Sequence, residues 1–498
     1  MAGKKVIIVG AGIAGLSAGS YLQMNGYKTE IFELHDIPGG LCTSWKRKGF
    51  TFDGCIHWLV GSSPSNSLHE LWEELGAVQG KTMIDFDEYT RIEYEPGKFF
   101  TVYTDADRLE AEMKRVAPED SQSIDELIRG IKTAASVNLP VGKARELYNA
   151  LDFIKFVSMR FPLVRLMAKY GKVSLDEYVK KLKSPVLRQV IPTIAHGRFP
   201  LVVLMMMLSW MHMKSAGYPI GGSLEFARTI EKTYLGLGGK INYHAKVCKV
   251  LVKDDKAVGI KLENGQEHAA DTVISAADGH YTIFEMLGGK YVDQGIRDNY
   301  DYLELFEPIF QVSFGIGRAM DSVPHSVNFI IDKPIMIDPK HTLERIPLRI
   351  FNFDPTMAPE GRTAATTIFT ADYEYWDVLR KQNPSEYRAE KDRIAAEVIE
   401  VIDQKLGNIK AHVEVYDVAT PATYVRYTNN WRASWEGWLP TPQSFMKTMR
   451  KTLPGLDNFY MVGQWVAPGG GVPNGLITGR DVTQLICKRD RKKFHTAT

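Results

Sequence analysis

The chain has 498 residues, and its 61 lysines and arginines against 59 aspartates and glutamates give a formal charge of +2. This balance excludes nucleic acid as a favoured partner, because nucleic-acid binders carry a clear basic excess. With 44% hydrophobic and 24% charged residues, the composition excludes disordered and fibrous architectures. The length predicts two or three domains, since one domain takes about 100 to 200 residues.

Cysteine usage and the first residues predict where the protein works. The cysteines, Cys42, Cys55, Cys248 and Cys487, show neither the C-x-x-C spacing of zinc and thiol redox sites nor the density of a secreted disulfide scaffold. We find no metal-ligand spacing in the sequence. Residues 1–5 lead directly into an apolar strand, without the long apolar core and cleavage site of a signal peptide. We therefore expect a cytoplasmic protein that binds no metal.

The chain opens with the pattern strand, turn, helix, strand. Residues 4–9 (KKVIIV) are typical of a buried parallel strand, residues 10–15 (GAGIAG) of a turn, residues 16–25 of a helix and residues 27–33 of a second strand. The motif G-x-G-x-x-G between a strand and a helix is the fingerprint of a dinucleotide site.

The fingerprint predicts contacts to a bound dinucleotide. Gly12 lets the backbone approach a pyrophosphate, Gly15 lets helix and strand pack closely, and the free N–H groups of the helix N-terminus bind the anion. A carboxylate about 20 positions later binds ribose hydroxyls. The predicted contact residues are Gly10, Ala11, Gly12, Ile13, Ala14, Gly15 and Glu33.

The chain then becomes helical. A short helix at 67–75 and a hairpin around 95–98 precede a helical region at 105–214. Residues 151–183 hold eight basic and three acidic residues, a net charge of +5 that leaves about −3 for the rest. Their interleaving with apolar residues is typical of an interfacial membrane helix, and equally of an ordinary amphipathic surface helix. The apolar run at 201–213 is too short to cross a bilayer, so it is either a buried helix or an interfacial one.

The remainder alternates strands and helices. A helix at 223–235 precedes strands around 240–252 and 271–277. The pattern is mixed up to residue 419 and includes a long helix at 385–406. The chain closes with a strand at 459–463, a glycine-rich turn and a helix that ends at residue 487. No second G-x-G-x-x-G follows a strand, so we expect no NAD(P)H domain. Electrons must then come from or go to oxygen, another diffusible acceptor or a membrane quinone.

Residues 36–58 indicate which dinucleotide binds. Asp36-Ile37-Pro38-Gly39-Gly40-Leu41, followed by GFTFDG at 49–54, resembles the flavoprotein group that includes amine oxidases and phytoene desaturases. In that group the Gly-Gly pair lines FAD, and the following segment passes near the flavin. The next residues, CIHW at 55–58, are closer to retinol saturase-like members. The resemblance implies FAD contacts at Gly39, Gly40, Leu41, Ile56, His57 and Trp58.

Two distant segments resemble the bacterial-type phytoene desaturase and retinol saturase family, namely residues 218–278 and the closing PGGGVPNG at 468–475. In the family a helix N-terminus there points at the electron-rich edge of the flavin, where backbone donors stabilise the reduced anion. Gln464 replaces a commonly acidic residue, so an amide or no group contacts the ribitol. The resemblance implies that Val247 meets the adenine through its backbone, and it places near the cofactor Ala276, Ala277, Gly463, Gln464, Pro473, Asn474 and Gly475.

The resemblance implies an FAD-dependent oxidoreductase that desaturates, saturates or isomerises carbon–carbon bonds of a long apolar, isoprenoid or polyene substrate. In such chemistry the protein mainly positions the substrate against the cofactor. His57 is the leading candidate for a general acid, with packing against the flavin as its alternative role. Tyr424 and Arg426 belong to a family-like segment and are further catalytic candidates. Amine oxidation in the same fold, and prenyl-lipid carriage without catalysis, as in GDP dissociation inhibitors, are the alternatives.

The predicted fold class is α/β. A discontinuous Rossmann-like FAD-binding domain takes residues 1–104, 218–290 and 420–498, and an α+β substrate domain with a mixed sheet takes residues 291–419. A helical region at 105–217 borders the substrate and associates with a membrane. The expected partners are an apolar small molecule, a membrane surface bound peripherally, and a diffusible electron acceptor or quinone.

Overall fold

The computed structural model describes residues 3–138, 140–447 and 449–496. The strands are β1 (Lys5–Val9), β2 (Lys28–Phe32), β3 (Ser44–Arg47), β4 (Phe50–Asp53), β5 (Leu59–Val60), β6 (Met83–Ile84), β7 (Glu88–Glu95), β8 (Lys98–Tyr103), β9 (Ala216–Pro219), β10 (Lys240–Asn242), β11 (Val247–Lys253), β12 (Lys256–Leu262), β13 (Glu267–Ala269), β14 (Thr272–Ser275), β15 (Ile309–Ile316), β16 (Ser326–Asp338), β17 (His341–Ile350), β18 (Thr363–Thr370), β19 (Val413–Ala419) and β20 (Phe459–Met461). The helices are α1 (Ile13–Met24), α2 (Leu68–Glu74), α3 (Ala106–Val116), α4 (Ser121–Ala135), α5 (Ala150–Met159), α6 (Phe161–Tyr170), α7 (Leu175–Val179), α8 (Pro185–Ile194), α9 (Leu201–His212), α10 (Gly222–Gly236), α11 (Gln294–Tyr302), α12 (Tyr373–Gln382), α13 (Pro384–Leu406), α14 (Pro421–Thr428) and α15 (Gly471–Arg489).

A five-stranded parallel sheet unites distant parts of the chain, in the order β10-β2-β1-β14-β20. Strand β1 lies at its centre and is almost wholly buried, as a parallel sheet covered on both faces requires. Helices α1, α10 and α15 pack on one face, and the antiparallel sheet β11-β12-β13 covers the other. The carboxyl ends of the parallel strands therefore meet at one edge, which is where open α/β sheets bind ligands.

The seven-stranded sheet has the order β19-β15-β18-β17-β16-β7-β8, and helices α12 and α13 pack against it. The hairpin predicted around residues 95–98 forms as β7 and β8, and it joins this sheet because β7 pairs in parallel with β16. The sequence division placed the hairpin with the first block of the chain, whereas its hydrogen bonds connect it to residues 309–419. The three-part division into domains stays a prediction.

The helical region contains helices α3 to α9. Helix α9, the apolar run of the sequence, packs against α4 and α6 with seven of its twelve residues buried, so it is a core helix rather than an interfacial one. Helix α5 has no buried residue. Among the described residues, no helix has both the length and the hydropathy needed to cross a bilayer.

Helix α1 begins at Ile13, three residues earlier than its pattern predicts, because the glycine-rich turn is already part of its first turn. Gly15 makes this possible, since a Cβ there would lie 2.0 Å from the carbonyl oxygen of Gly10. The turn and the helix start are therefore a single feature, with Gly10 in a left-handed conformation at φ 98°.

Candidate active site

A large cavity opens at the carboxyl edge of the five-stranded sheet. It contains about 1430 Å³ of atom-free space, its opening to solvent included. Its wall is built by the ends of β1, β2 and β14, the first turns of α1 and α15, and residues from α14 and the loop after it. An open cleft at this edge of the sheet is the usual place for a ligand in this kind of fold.

Two helix N-termini point into this cavity side by side. The first turns of α1 and α15 contribute Ile13, Ala14, Val472 and Gly475 to its wall, and within the described residues neither turn holds an acidic residue or a side-chain cap. Their close approach depends on glycine, because a Cβ on Gly479 would lie 2.7 Å from a backbone nitrogen of α1. Free N–H groups and aligned helix dipoles make this region a site for negative charge.

Gly12 leaves the space between the helices open. A Cβ at this position would meet a single atom within 4 Å, the carbonyl oxygen of Gly39 at 3.8 Å, so a side chain would enter the cavity itself. Gly39 and Gly40 approach from the opposite side through a bridge between Gly12 and Gly39. Three glycines thus form a backbone cradle in which an anionic group can approach main-chain donors.

Glu33 follows β2 and lies on the cavity wall, 8% exposed. One carboxylate oxygen accepts the Ala11 N–H at 2.6 Å, and the other accepts the His35 N–H at 2.9 Å. Burial raises the pKa of Glu33, while these backbone donors act against that rise. The carboxylate oxygens keep further lone pairs for hydroxyl groups of a ligand in the cavity.

The cavity brings together most of the residues predicted from the sequence. On its wall lie Gly10, Gly12, Ile13, Ala14, Glu33, Gly39, Gly40, Leu41, Val247, Ala276, Ala277, Tyr424, Gly463, Gln464 and Gly475. The other predicted residues do not line this cavity, namely Ala11, Gly15, Ile56, His57, Trp58, Arg426, Pro473 and Asn474. Which of these residues contact a bound cofactor stays a prediction.

Several residues off the wall have evident structural roles. Ala11 orients Glu33 through its N–H, and Pro473 and Asn474 occupy the first turn of α15 between two wall residues. Arg426 is exposed, and its guanidinium donates to the hydroxyl of the neighbouring Tyr427 at 2.8 Å.

His57 lies in the loop after β4, beside the buried cation of Arg349. The Arg349 guanidinium donates to the His57 carbonyl oxygen at 2.8 Å. Burial, followed by this neighbouring positive charge, lowers the pKa of His57 to about 3. The imidazole is therefore neutral at physiological pH and carries no proton that it could readily release.

Two carboxyl groups on the wall, the buried Asp278 and the half-buried Glu436, were not among the site residues predicted from the sequence. Asp278 accepts the backbone N–H groups of Tyr281 and Trp431 at 2.7 and 2.8 Å, and burial raises its pKa to about 7. Glu436 makes no side-chain hydrogen bond or ion pair within the described residues, and burial raises its pKa to about 8. Its position soon after the family-like segment around Tyr424 and Arg426 was the available signal, but the desolvation of its carboxyl is a tertiary property.

One end of the cavity is apolar. Leu41, Ile309, Tyr424 and Trp435 line it and belong to one hydrophobic cluster. The Tyr424 hydroxyl is held by donation to the side-chain oxygen of Gln311 at 2.9 Å. Glu436 lies next to this cluster, so the cavity combines an apolar end, a proton-carrying group and the glycine cradle.

Residues 13–487 match the family model of flavin containing amine oxidoreductases. The chain belongs to this family. The glycine cradle, the adjacent helix N-termini and Glu33 line one cavity, and their contacts to a nucleotide stay a prediction. Membership identifies an FAD-dependent oxidoreductase, in agreement with the prediction of an enzyme rather than a carrier.

Curated relatives of this flavoprotein span most of its length. It is 26% identical over 94% of its chain to prolycopene isomerase 1 from an Oncidium hybrid cultivar, covering 81% of that protein. It is 25% identical to a phytoene desaturase (neurosporene-forming) from Rhodobacter capsulatus, with 97% and 94% covered. All-trans-retinol 13,14-reductase from Danio rerio is also 25% identical, with 92% and 82% covered.

A solved structure establishes the fold independently. A triple mutant of putrescine oxidase, described as a redesign of cofactor binding, matches this flavoprotein with a TM-score of 0.63. The match covers 98% of this chain and 99% of that one at 16% identity. The two proteins share the architecture of an α/β flavoprotein.

The residues present fit FAD. The open cradle at Gly12 and the uncapped turns of α1 and α15 suit a pyrophosphate and the electron-rich edge of a flavin, and Glu33 offers acceptors for ribose hydroxyls. Gln464, the amide that replaces the commonly acidic residue noted in the sequence, donates to the side-chain oxygen of Asn430 at 3.2 Å.

Proposed function

We propose that this flavoenzyme desaturates, saturates or isomerises carbon–carbon bonds of a long apolar substrate of the polyene or isoprenoid class. The observation that carries the proposal is the apolar lining of the cofactor cavity by Ile309, Tyr424 and Trp435, together with the Glu436 carboxyl on the same wall, which has no hydrogen-bonding partner within the described residues. The relatives described above, a prolycopene isomerase, a phytoene desaturase and a retinol reductase, support the same substrate class.

The charge of the cavity supports this proposal over amine oxidation. A site for a protonated amine benefits from a fixed negative charge near the reacting carbon. At the apolar end the available carboxyl is Glu436, and with a pKa of about 8 it is mostly neutral at pH 7. An uncharged polyene has no favourable hydration to lose on entering such an environment, whereas an ammonium group loses its hydration free energy.

In this proposal Glu436 holds the proton that reaches or leaves a substrate carbon. FAD, when bound, supplies a two-electron acceptor or donor for the carbon–carbon bond. A neutral carboxyl with a pKa near the operating pH can both donate and accept a proton, which His57 with a pKa of about 3 cannot do efficiently. Trp435 and Ile309 exclude water, and the fixed Tyr424 hydroxyl orients the substrate against the wall.

Anaerobic incubation tests this function. The FAD-bound enzyme, oxidised or reduced with dithionite, is mixed with a cis-polyene and a saturable polyene, and the products are separated by chromatography. Conversion of either substrate, lost on Glu436→Gln substitution but kept on substitution of the exposed Glu360→Gln, supports the proposal. Turnover of primary amines in a parallel aerobic assay, with dioxygen reduced to hydrogen peroxide, and no polyene conversion in any flavin state, would refute it.

We further propose that helices α5 and α6 bind an anionic membrane surface, from which an apolar substrate can enter. Five large apolar side chains protrude within eleven residues here, each 59–76% exposed: Leu151, Phe153, Ile154, Met159 and Phe161. Basic residues are interspersed among them, and residues 151–183 carry a net charge of +5. Exposed apolar side chains can insert into a bilayer, and the basic residues around them attract anionic lipid headgroups.

Vesicle flotation tests this surface. The protein is expected to float with phosphatidylcholine vesicles containing phosphatidylglycerol, less so as salt rises, and poorly with phosphatidylcholine alone. Phe153→Ser with Ile154→Ser should weaken binding at least about 10-fold, since each buried side chain contributes about 1.5–3 kcal/mol. The control pair, Met336→Ser with Val378→Ser, removes exposed apolar groups elsewhere and should leave binding unchanged. Equal weakening by both pairs, or recovery outside the vesicle fraction, would contradict the proposal.

A further inference from the structure

Cys42 and Cys55 lie opposite each other at the open end of the β3-β4 hairpin. The last ladder pair of the hairpin is Ser44 with Asp53, and each cysteine lies two positions beyond one member of that pair. Continuing the antiparallel register therefore places the cysteines directly across from each other, with side chains on the same face. Opposite residues in such pairs have Cα atoms about 4.5–5.5 Å apart, within the 4.4–6.8 Å range that a disulfide spans.

The two thiols are free. The Cys42 Sγ donates to the Ser223 carbonyl oxygen at 3.5 Å, and the Cys55 thiol is near enough to Cys42 to contribute to the raised pKa of Cys42. Both cysteines line the cavity that takes the cofactor. Cys55 is half-buried, whereas Cys42 is 4% exposed, so Cys55 is the thiol that a small oxidant can reach from the cavity.

The environment assigns different roles to the two sulfurs. The hydrogen bond with Cys55, followed by burial, raises the pKa of Cys42, which disfavours its thiolate. A buried thiol of this kind reacts slowly with peroxide in solution, but it can still attack an electrophilic sulfur held beside it.

We propose that Cys42 and Cys55 form a redox-responsive dithiol in the cofactor cavity, which hydrogen peroxide converts to a disulfide. The Cys55 sulfur attacks peroxide, the O–O bond breaks, and a sulfenic acid and one water form. The Cys42 sulfur then attacks the Cys55 sulfur, the S–O bond breaks, and the departing hydroxide leaves with a proton as a second water. The two thiols lose two electrons, and one peroxide is reduced to two waters.

The disulfide joins two separate segments of the cavity wall. Cys42 directly follows the Gly39-Gly40-Leu41 segment, and Cys55 directly follows Gly54, which also lines the cavity. Transient redox-sensing disulfides are the type expected in a reducing compartment, so the pair is compatible with the low cysteine content of the chain.

Mass spectrometry of the FAD-bound protein tests the proposal without relying on activity. After peroxide treatment and alkylation under denaturing conditions, the number of free thiols should fall from four to two, and dithiothreitol should restore all four. Protease digestion should yield a peptide pair joined between Cys42 and Cys55. The matched control Cys248→Ser should retain this cross-link, whereas Cys55→Ser should lose it and leave Cys42 free.

Three results would overturn the proposal: no loss of thiols in the folded wild-type protein, cross-links that involve Cys248 or Cys487, or oxidation of Cys55 to a sulfinic acid without a link to Cys42. Because the peptide mapping uses the wild-type protein, it decides the question even if a serine variant folds poorly. Far-ultraviolet circular dichroism identifies such a variant before its thiols are counted.

Discussion

Replacing Glu436 by glutamine should make the protein more stable and less active. In the folded chain burial raises the pKa of this carboxyl from 4.5 to about 8, so between these values it is neutral when folded and ionised when unfolded. Each pH unit above 4.5 therefore lowers the free energy of unfolding by about 1.4 kcal/mol, which amounts to about 3 kcal/mol at pH 7. The start of α15 lies beside the carboxyl and offsets at most about 1 kcal/mol of this cost by favouring the anion.

The sign of this effect fixes its pH dependence. Stability associated with the neutral carboxyl is complete below pH 4.5 and is lost as pH rises to about 8. Glutamine cannot ionise, so the advantage of Glu436→Gln over wild type should be absent at pH 4.5, reach about 2–3 kcal/mol at pH 7 and level off above pH 8. The same substitution removes the mobile proton and should lower polyene turnover by about 10² to 10⁴-fold.

Urea midpoints of the FAD-bound proteins, followed by tryptophan fluorescence at pH 5 and pH 8, measure this difference. Glu360→Gln, which changes an exposed carboxyl, should match wild type at both pH values. If Glu436→Gln is less stable than wild type at pH 8, or if its advantage is the same at pH 5 and pH 8, the carboxyl is not buried as a neutral acid and the reasoning is wrong.

The remaining predictions concern the cofactor site and His57. Glu33→Ala removes the acceptor of the Ala11 N–H and a ribose ligand, and it should weaken FAD binding about 10- to 100-fold in a flavin fluorescence titration; unchanged affinity would contradict this role. Gly479→Val places side-chain atoms where a Cβ already lies 2.7 Å from α1, so purified protein should contain little FAD and unfold at a lower temperature than Gly236→Ala, where a Cβ has open space. His57→Gln should leave the pH profile of turnover unchanged between pH 5 and 8, because the pKa of about 3 keeps this imidazole neutral throughout; loss of an acidic limb would show that it titrates there.

Local sequence patterns predicted those parts of the site that depend on backbone chemistry. The strand before Gly10, the cradle at Gly12 and the carboxylate at Glu33 are spaced along one continuous segment, and short-range geometry brings them together in any chain with this pattern. The hairpin around residues 95–98 and the long helix α13 follow in the same way from turn residues and hydrophobic periodicity.

Patterns could not predict features that depend on what surrounds a residue. The sequence allowed an interfacial position for both helix α9 and helix α5, yet α9 is buried against α4 while α5 exposes Phe153 and Ile154. The neighbours that make this difference lie far away in the sequence. Likewise, no C-x-x-C spacing marks Cys42 and Cys55, because a hairpin rather than a short turn brings them together.

By itself the sequence determined the nucleotide site, since strand, glycine turn, helix dipole and carboxylate act within about 30 consecutive residues. Tertiary structure alone decided which group at that site carries a proton. It gives the Glu436 carboxyl no hydrogen-bonding partner within the described residues, and it places the cation of Arg349 beside His57. A proton's position depends on solvation and on charges from distant segments, and neither quantity is encoded in the local order of residues.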